Sequence, residues 1–554
     1  MGSNPTSGII PMKKSKFVFL LVVITLFLFS MMVFLIQRRG EVVKRDSYLV
    51  LRLSGFLPES PPQTFPPFTG ASLRDVYRAL EKAKGDSRIR GLYLKITFPI
   101  FGWGKAEELR SLLLDFRKAG KRVVAFVEGA DDLGYYIATS ADKVYTFPGS
   151  FVEINGIAAQ RLYYRRLFDK WGVSVQVFHI GKWKTASNAY TEREMTPWER
   201  EQLMRIGGGI MKELVSAISS SRRIKPERVR EFMDQEGGGV GVEFEKSPFF
   251  DGVFTEEQVV EREFKGLGRV MLKRYVRSGR SLPAPAEVAV VFAEGAINIG
   301  KSGNSPLLGR VIGSDTLRGI LKRLEKDGKT RAVVLRVNSP GGSALASELI
   351  ENSVRALAHK KPVVVSMSSY AASGGYYISA PATKILAEKL TLTGSIGIIG
   401  GKLSIGGALK KLGIDEDHLS FTKTALVNSP YSPYDEHQFE VVKKRLRAFY
   451  RLFLKRVAQG RGKTESYVDS IGQGRVFLGE EAVKLGLVDS VGGLNRAIEE
   501  ASRLASLRFY SVKFYPKKKG LFESLMKTLN QWSSLRIFLS QGFYYLPPAL
   551  YLFR

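Results

Sequence analysis

The 554-residue sequence contains no cysteine. Disulfides, thiolate nucleophiles and zinc–thiolate sites are therefore excluded. Histidine is scarce too: there are four, none in an H-x-x-H or H-E-x-x-H setting. That leaves little from which to build a histidine metal centre, and no cofactor is expected. Acidic residues are outnumbered, 53 against 84 Lys and Arg, for a net charge of +31. Such a surplus favours a polyanion nearby, either nucleic acid or an anionic membrane face. The sequence carries no zinc finger and no aromatic RNA-binding motif, so the membrane is the expected partner and nucleic acid is not. At 44% hydrophobic residues the chain can bury a real core. Its length suggests two to four domains.

Residues 17–36 run without a charge or a proline. A helix of that length spans about 30 Å, the thickness of a bilayer core. No A-x-A-like cleavage site follows, so the run reads as an uncleaved signal anchor behind a short tail, residues 1–16. Lys13, Lys14 and Lys16 precede it and Arg38 and Arg39 follow, so the flanking charges barely decide its orientation. Met1-Gly2 with Thr6 also fits the short myristoylation pattern.

The rest of the chain repeats itself at a spacing of about 240 residues. Tyr48-Leu49-Val50-Leu51 matches Val288-Ala289-Val290-Val291, and Ser54-Gly55 matches Glu294-Gly295. Gly91-Leu92-Tyr93-Leu94-Lys95-Ile96 matches Ala332-Val333-Val334-Leu335-Arg336-Val337. Gly134-Tyr135-Tyr136-Ile137-Ala138 matches Gly375-Tyr376-Tyr377-Ile378-Ser379, Ile154-Asn155-Gly156-Ile157 matches Ser395-Ile396-Gly397-Ile398, and Lys184-Thr185-Ala186 matches Lys423-Thr424-Ala425. In both copies short β-branched runs alternate with helical stretches, the pattern of βα units on a largely parallel sheet. The expected layout is an N-terminal domain over residues 47–277, a Pro/Gly linker over 278–286 and a C-terminal domain over 287–515. A basic and aromatic tail, residues 516–554, would lie on a membrane surface or dock on protein.

In the C-terminal copy, Asn338-Ser339-Pro340-Gly341-Gly342 follows a buried strand. A Gly-Gly turn leaves backbone N–H groups bare and lets another chain approach closely. A second strand, from Val363, runs into Ala371-Ala372-Ser373-Gly374-Gly375-Tyr376-Tyr377. Small residues around one serine at the start of a helix set its hydroxyl among backbone donors that suit a developing oxyanion. The plainer alternative is a serine that merely caps its helix.

These two segments, with Leu392-Thr393-Gly394-Ser395-Ile396-Gly397-Ile398, Gly474-Arg475-Val476-Phe477 and Gly486-Leu487-Val488-Asp489, resemble the signature of the signal peptide peptidase A family. Lys182-Trp183-Lys184-Thr185-Ala186 is similar to the lysine segment of its long, duplicated branch. The resemblance implies two tandem crotonase-like (caseinolytic-protease-like) α/β domains behind one transmembrane helix. It implies a serine endopeptidase, held in the cytoplasmic (inner) membrane with its domains outside the cytoplasm, that degrades released signal peptides. It also implies a homo-oligomer such as a tetramer. It assigns the nucleophile to Ser373, the general base to Lys184, oxyanion donors to the amides of Gly342 and Gly374, and orientation of the lysine to Ser395. A lysine can act as base when burial depresses its pKa. Lys423, the repeat equivalent of Lys184, is a rival, as is Lys182 two residues away. The N-terminal copy reads as inactive: Ile100 and Phe101 replace the Gly-Gly pair, and Asp132, or Asp131 with one residue of gap, stands at the serine position. Two other readings remain at this stage, a crotonase-class enzyme acting on an acyl-CoA and a non-catalytic membrane scaffold.

Overall fold

The computed structural model describes Thr25 and residues 43–62, 70–278, 284–305 and 309–516. The expected anchor, residues 17–36, and nearly all of the C-terminal tail lie outside the described residues. Among those described, no helix is long and apolar enough to cross a membrane.

The chain forms a mixed α/β structure with two large sheets. In the first, the strand order is Gly238–Val240, Lys143–Glu153, Arg122–Ala130, Ile89–Pro99, Ser47–Gly55, Gly268–Met271. In the second it is Val476–Leu478, Leu392–Gly394, Val363–Ala372, Thr330–Ser339, Glu287–Glu294, Ser511–Tyr515. The orders correspond strand for strand. In each sheet the strands pair in parallel except the first named, which is antiparallel to its neighbour. One difference lies next to the serine: where the first half has the single strand Lys143–Glu153, the second has two pieces, Lys384–Ala387 and Leu392–Gly394, both on Val363–Ala372.

The halves stack. Leu49, Leu51, Leu92, Leu94 and Ile96 of the first sheet and Val288, Val290, Ala332 and Val334 of the second share one core, with helices Leu73–Lys84, Trp103–Lys118 and Leu494–Leu504 between them. The opposite face of the second sheet is covered by helices Ser314–Lys326, Ala344–Ala358 and Glu436–Arg461. A strand buried on both faces must be apolar at successive positions, which is why these segments are unbroken β-branched runs rather than alternating ones.

A buried charge network joins the halves. Arg336 is fully buried; its Nε donates to Glu59 at 2.9 Å, its Nη1 to Ser366 at 2.7 Å, and its Nη2 to Glu108. Lys105 lies 2.9 Å from the same Glu59 carboxylate. Burial alone would raise the Glu59 carboxyl, but the two cations outweigh it and hold the group at about 2. Lys95, the repeat partner of Arg336, instead pairs with Glu128 and Glu256 near the surface, at 2.6 and 2.5 Å. The same strand position thus bears a cation in both halves, and stacking buries only the second. Such a network contributes mainly through the cost of breaking it, about 3–5 kcal/mol when one buried partner is removed.

Candidate active site

The strand Val363–Ala372 ends at Ser373, which opens the helix Gly374–Ser379. Ser373 adopts φ 54° and ψ −118°, a conformation that side chains rarely take. Two bonds hold it: its N–H donates to the carbonyl of Gly394 at 2.8 Å, and its carbonyl accepts from Tyr377 at 2.9 Å. No helix amide donates to its hydroxyl, so the serine is not a helix cap. Instead its Oγ lies 3.0 Å from Nζ of Lys184, 189 residues earlier in the chain.

Lys184 is 6% exposed. Its Nζ donates to the carbonyl and the hydroxyl of Ser395, both at 2.8 Å. A neutral amine has two N–H donors and one lone pair. With both donors taken by Ser395, the lone pair is left for the hydroxyl of Ser373. Burial lowers the amine from its usual value to about 7, so the neutral form is abundant in mildly alkaline solution. Ser395 itself is held at φ 53° by its N–H bond to the carbonyl of Arg475, at 2.7 Å.

The Gly-Gly turn faces this pair. Ile297 donates to the carbonyl of Gly341 and accepts from Ser343, so the N–H of Gly342, between them, points to the opposite side. A Cβ on Gly341 would stand 2.8 Å from both the nitrogen of Gly374 and the Cβ of Ser373, and one on Gly374 would stand 3.3 Å from the nitrogen of Gly342. Only glycine at position 341, at φ 103°, permits so close an approach. The Gly341-Gly342 turn is thus packed against the backbone of Ser373 and Gly374. The turn is tied to the serine strand by the side-chain oxygen of Asn338, which accepts from the N–H of Tyr370 at 3.2 Å.

The other two lysines lie elsewhere. Nζ of Lys182 sits over the rings of Trp183 and Trp198, 4.2 and 4.4 Å from their centroids. Lys423 is exposed in a turn of its own half. In the N-terminal half Asp132 opens the helix Asp132–Ala138, as Ser373 precedes its counterpart, while Asp131 caps that helix by accepting from Gly134 at 2.9 Å. Asp132 is buried, Oδ1 has no hydrogen-bond partner among the described residues, and burial raises its carboxyl to about 7.

A feature that the sequence does not announce completes the site. The strand Ser174–Ile180, just before the lysine loop, pairs antiparallel with Ile398–Ser404, just after Ser395. This two-stranded bridge between the halves carries Lys184 to Ser395. Its half-buried residues follow no strong apolar pattern, and the only signal in the sequence is that it flanks two motifs. Among the described residues no cluster of His, Cys, Asp or Glu could hold a metal ion.

The model of Peptidase family S49 matches residues 115–239 and 355–508 of the chain. Protease 4 of Salmonella typhi is 32% identical over 497 residues, 86% of this chain and 79% of its own length. Serine protease SPPA, chloroplastic, of Arabidopsis thaliana is 31% identical over 484 residues, covering 84% and 70%. Protease 4 of Haemophilus influenzae is 30% identical over 506 residues, covering 85% and 81%.

Proposed function

The chain belongs to peptidase family S49 and is a serine protease, and from that premise we propose that it cleaves peptides with a dyad of Ser373 and Lys184. The observation that carries this reading is the 3.0 Å approach of a buried lysine amine to a serine that caps nothing. Lys184 takes the proton as Ser373 Oγ attacks the scissile carbonyl, and the amides of Gly342 and Gly374 receive the oxyanion. The proton then passes from Lys184 to the leaving amine, and water releases the acyl group by the reverse steps. Ser395 holds the amine on line. An acyl-CoA enzyme would leave this contact without a use.

A fluorophosphonate probe tests the assignment. It should label the chain once, on Ser373, and Ser373→Ala should abolish the label; labelling at another serine would overturn the nucleophile.

Each half is read as a crotonase-like unit of a tandem duplication, supported by the matching strand orders. The substrates are read as released signal peptides. Residues 17–36 are read as the anchor that holds both halves on the extracytoplasmic side of the cytoplasmic membrane, supported by that run's length and lack of charge. Assembly into a homo-oligomer is supported by a mismatch within the repeat. The counterparts of the paired strands Ser174–Ile180 and Ile398–Ser404 are residues 413–419 and 157–163, and among the described residues neither segment forms a strand, a single bridge at Ala159 apart. Leu419, at the end of the first segment, is 89% exposed, and Phe421, two residues on, 95%. Pairing these segments between chains would carry Lys423 towards Asp132, whose Oδ1 has no hydrogen-bond partner among the described residues. Detergent-solubilised protein should therefore run as an assembly whose dissociation shows coupling between Lys423→Met and Asp132→Asn in a double-mutant cycle. Additive effects would remove that pairing, and a chain that stays in aqueous extracts without detergent would remove the anchor.

A further inference from the structure

The loop that bears Lys184 is gripped by a turn of the other half. Residues 181–184 lie against residues 472–475: the N–H of Trp183 donates to the carbonyl of Gln473 at 2.9 Å. A Cβ on Gly474 would stand 2.5 Å from the Cβ of Lys184, and one on Gly181, at φ 105°, would strike the backbone of Gln473. The same turn grips the segment bearing Ser395, whose N–H donates to the carbonyl of Arg475; the N–H of Gly474 donates to the carbonyl of Ile396, both bonds at 2.7 Å. One four-residue turn is therefore backbone-bonded to both pieces that set the lysine amine in place.

The side chain of Arg475 then folds over the loop. Its guanidinium carbon lies 3.4 Å from the centroid of the Trp183 ring, and Trp183 meets Trp198 edge-on at 5.4 Å. Trp183 is 6% exposed. A planar guanidinium covers an indole face in a way that an ammonium on a flexible stem does not. Resting on the reading of Lys184 as the base, we infer that Arg475 is a positioning residue for proteolysis: stacked on Trp183, it fixes the lysine loop against the C-terminal half and keeps water from the Lys184 amine. Burial is the cause of the amine's lowered pKa. The charged groups packed around this loop are Lys182, Arg161 with its partner Glu199, and Arg475 with Arg205, Glu201 and Glu481, Arg475 lying 3.8 Å from Glu201. Opening the stack would hydrate the amine and return it towards the ordinary lysine range.

The experiment is peptide hydrolysis by the full chain from about pH 6 to about pH 10, normalised to fluorophosphonate-titrated sites. Arg475→Met should lower kcat ~10-fold or more with KM little changed. It should also move the acid limb of the kcat/KM profile upward by about one pH unit. Arg475→Lys should resemble Arg475→Met. Trp183→Phe, which keeps a ring but shrinks the stacked face, should shift the limb the same way and serves if Arg475→Met does not fold. A loss of rate with the limb unmoved would mean a merely structural role and overturn the inference. Full rescue by Arg475→Lys would overturn the stacking, and a rise in KM alone would make Arg475 a substrate contact instead. A wild-type profile with no acid limb would instead sink Lys184 as the base, a separate failure.

Discussion

Ser373→Ala is expected to hydrolyse peptide at least ~10³-fold more slowly than the wild type, with its fold retained. Oγ lies 3.0 Å from a partly neutral amine, beside the Gly341-Gly342 turn that packs against Ser373 and Gly374. Ser395 is not placed to take over, because its hydroxyl accepts an N–H of Nζ at 2.8 Å and so does not face the amine's lone pair. Nor can the first half supply a second centre: Asp132 stands at the nucleophile's place, and Ile100 and Phe101 occupy the turn. Loss of the hydroxyl removes the covalent route, and the donors that remain account for whatever slow hydrolysis persists. The substitution removes one oxygen from a half-buried side chain, so circular dichroism and the unfolding midpoint should match the wild type. A Ser373→Ala chain that keeps more than about a tenth of the activity would move the nucleophile elsewhere.

The serine and the Gly-Gly turn were legible in the sequence because their chemistry is local. A strand end, a run of small residues and a helix start are adjacent in the chain, and adjacency fixes their geometry. Lys184 was legible only through the repeat and the resemblance, since no local rule brings a residue to a partner 189 positions away. The parallel sheets were legible from runs such as Val288-Ala289-Val290-Val291, whose burial on both faces leaves no room for alternation. What joins the halves was not. Glu59 lies outside every motif and repeat match, yet it is fully buried, with Arg336, 277 residues on, and Lys105 offsetting its desolvation. Pairings of that kind depend on how two finished domains dock, and charge alone on a strand or loop carries no mark of it. Lys95 and Arg336 make the point within one chain: equivalent in the repeat, each meets two carboxylates, but those of Lys95 are partly exposed and those of Arg336 are buried between the halves. Arg475 belonged to a recognisable motif, but its stack on Trp183 could be seen only once the lysine loop was in place.

Lys184→Met is expected to be as inactive as Ser373→Ala, a loss of ~10³-fold or more, and at the same time harder to unfold than the wild type at neutral pH. The first half follows from the geometry: without the amine neither rival lysine can take the serine proton, since Lys182 lies over the tryptophan rings and Lys423 on an exposed loop. The second half follows from linkage. Burial holds the amine at about 7 in the folded chain, against the ~10.4 of a lysine in the unfolded chain. Between those values the unfolded state binds the extra proton, so stability rises with pH across that window and falls as pH drops through it. At pH 7 and below the lysine therefore works against folding. Methionine fills similar space without a charge to bury, so Lys184→Met escapes the penalty, and its gain over the wild type should be largest near pH 7 and shrink towards pH 10. The same titration governs the wild-type rate, because only the neutral amine can accept the proton: kcat/KM should climb as pH rises through about 7 and level off above it. Chemical denaturation of both chains from about pH 6 to about pH 10, beside the wild-type rate profile, measures both effects on one axis. A Lys184→Met chain that is less stable than the wild type throughout, joined to a flat rate profile, would show that the lysine is charged in the folded protein and is no base.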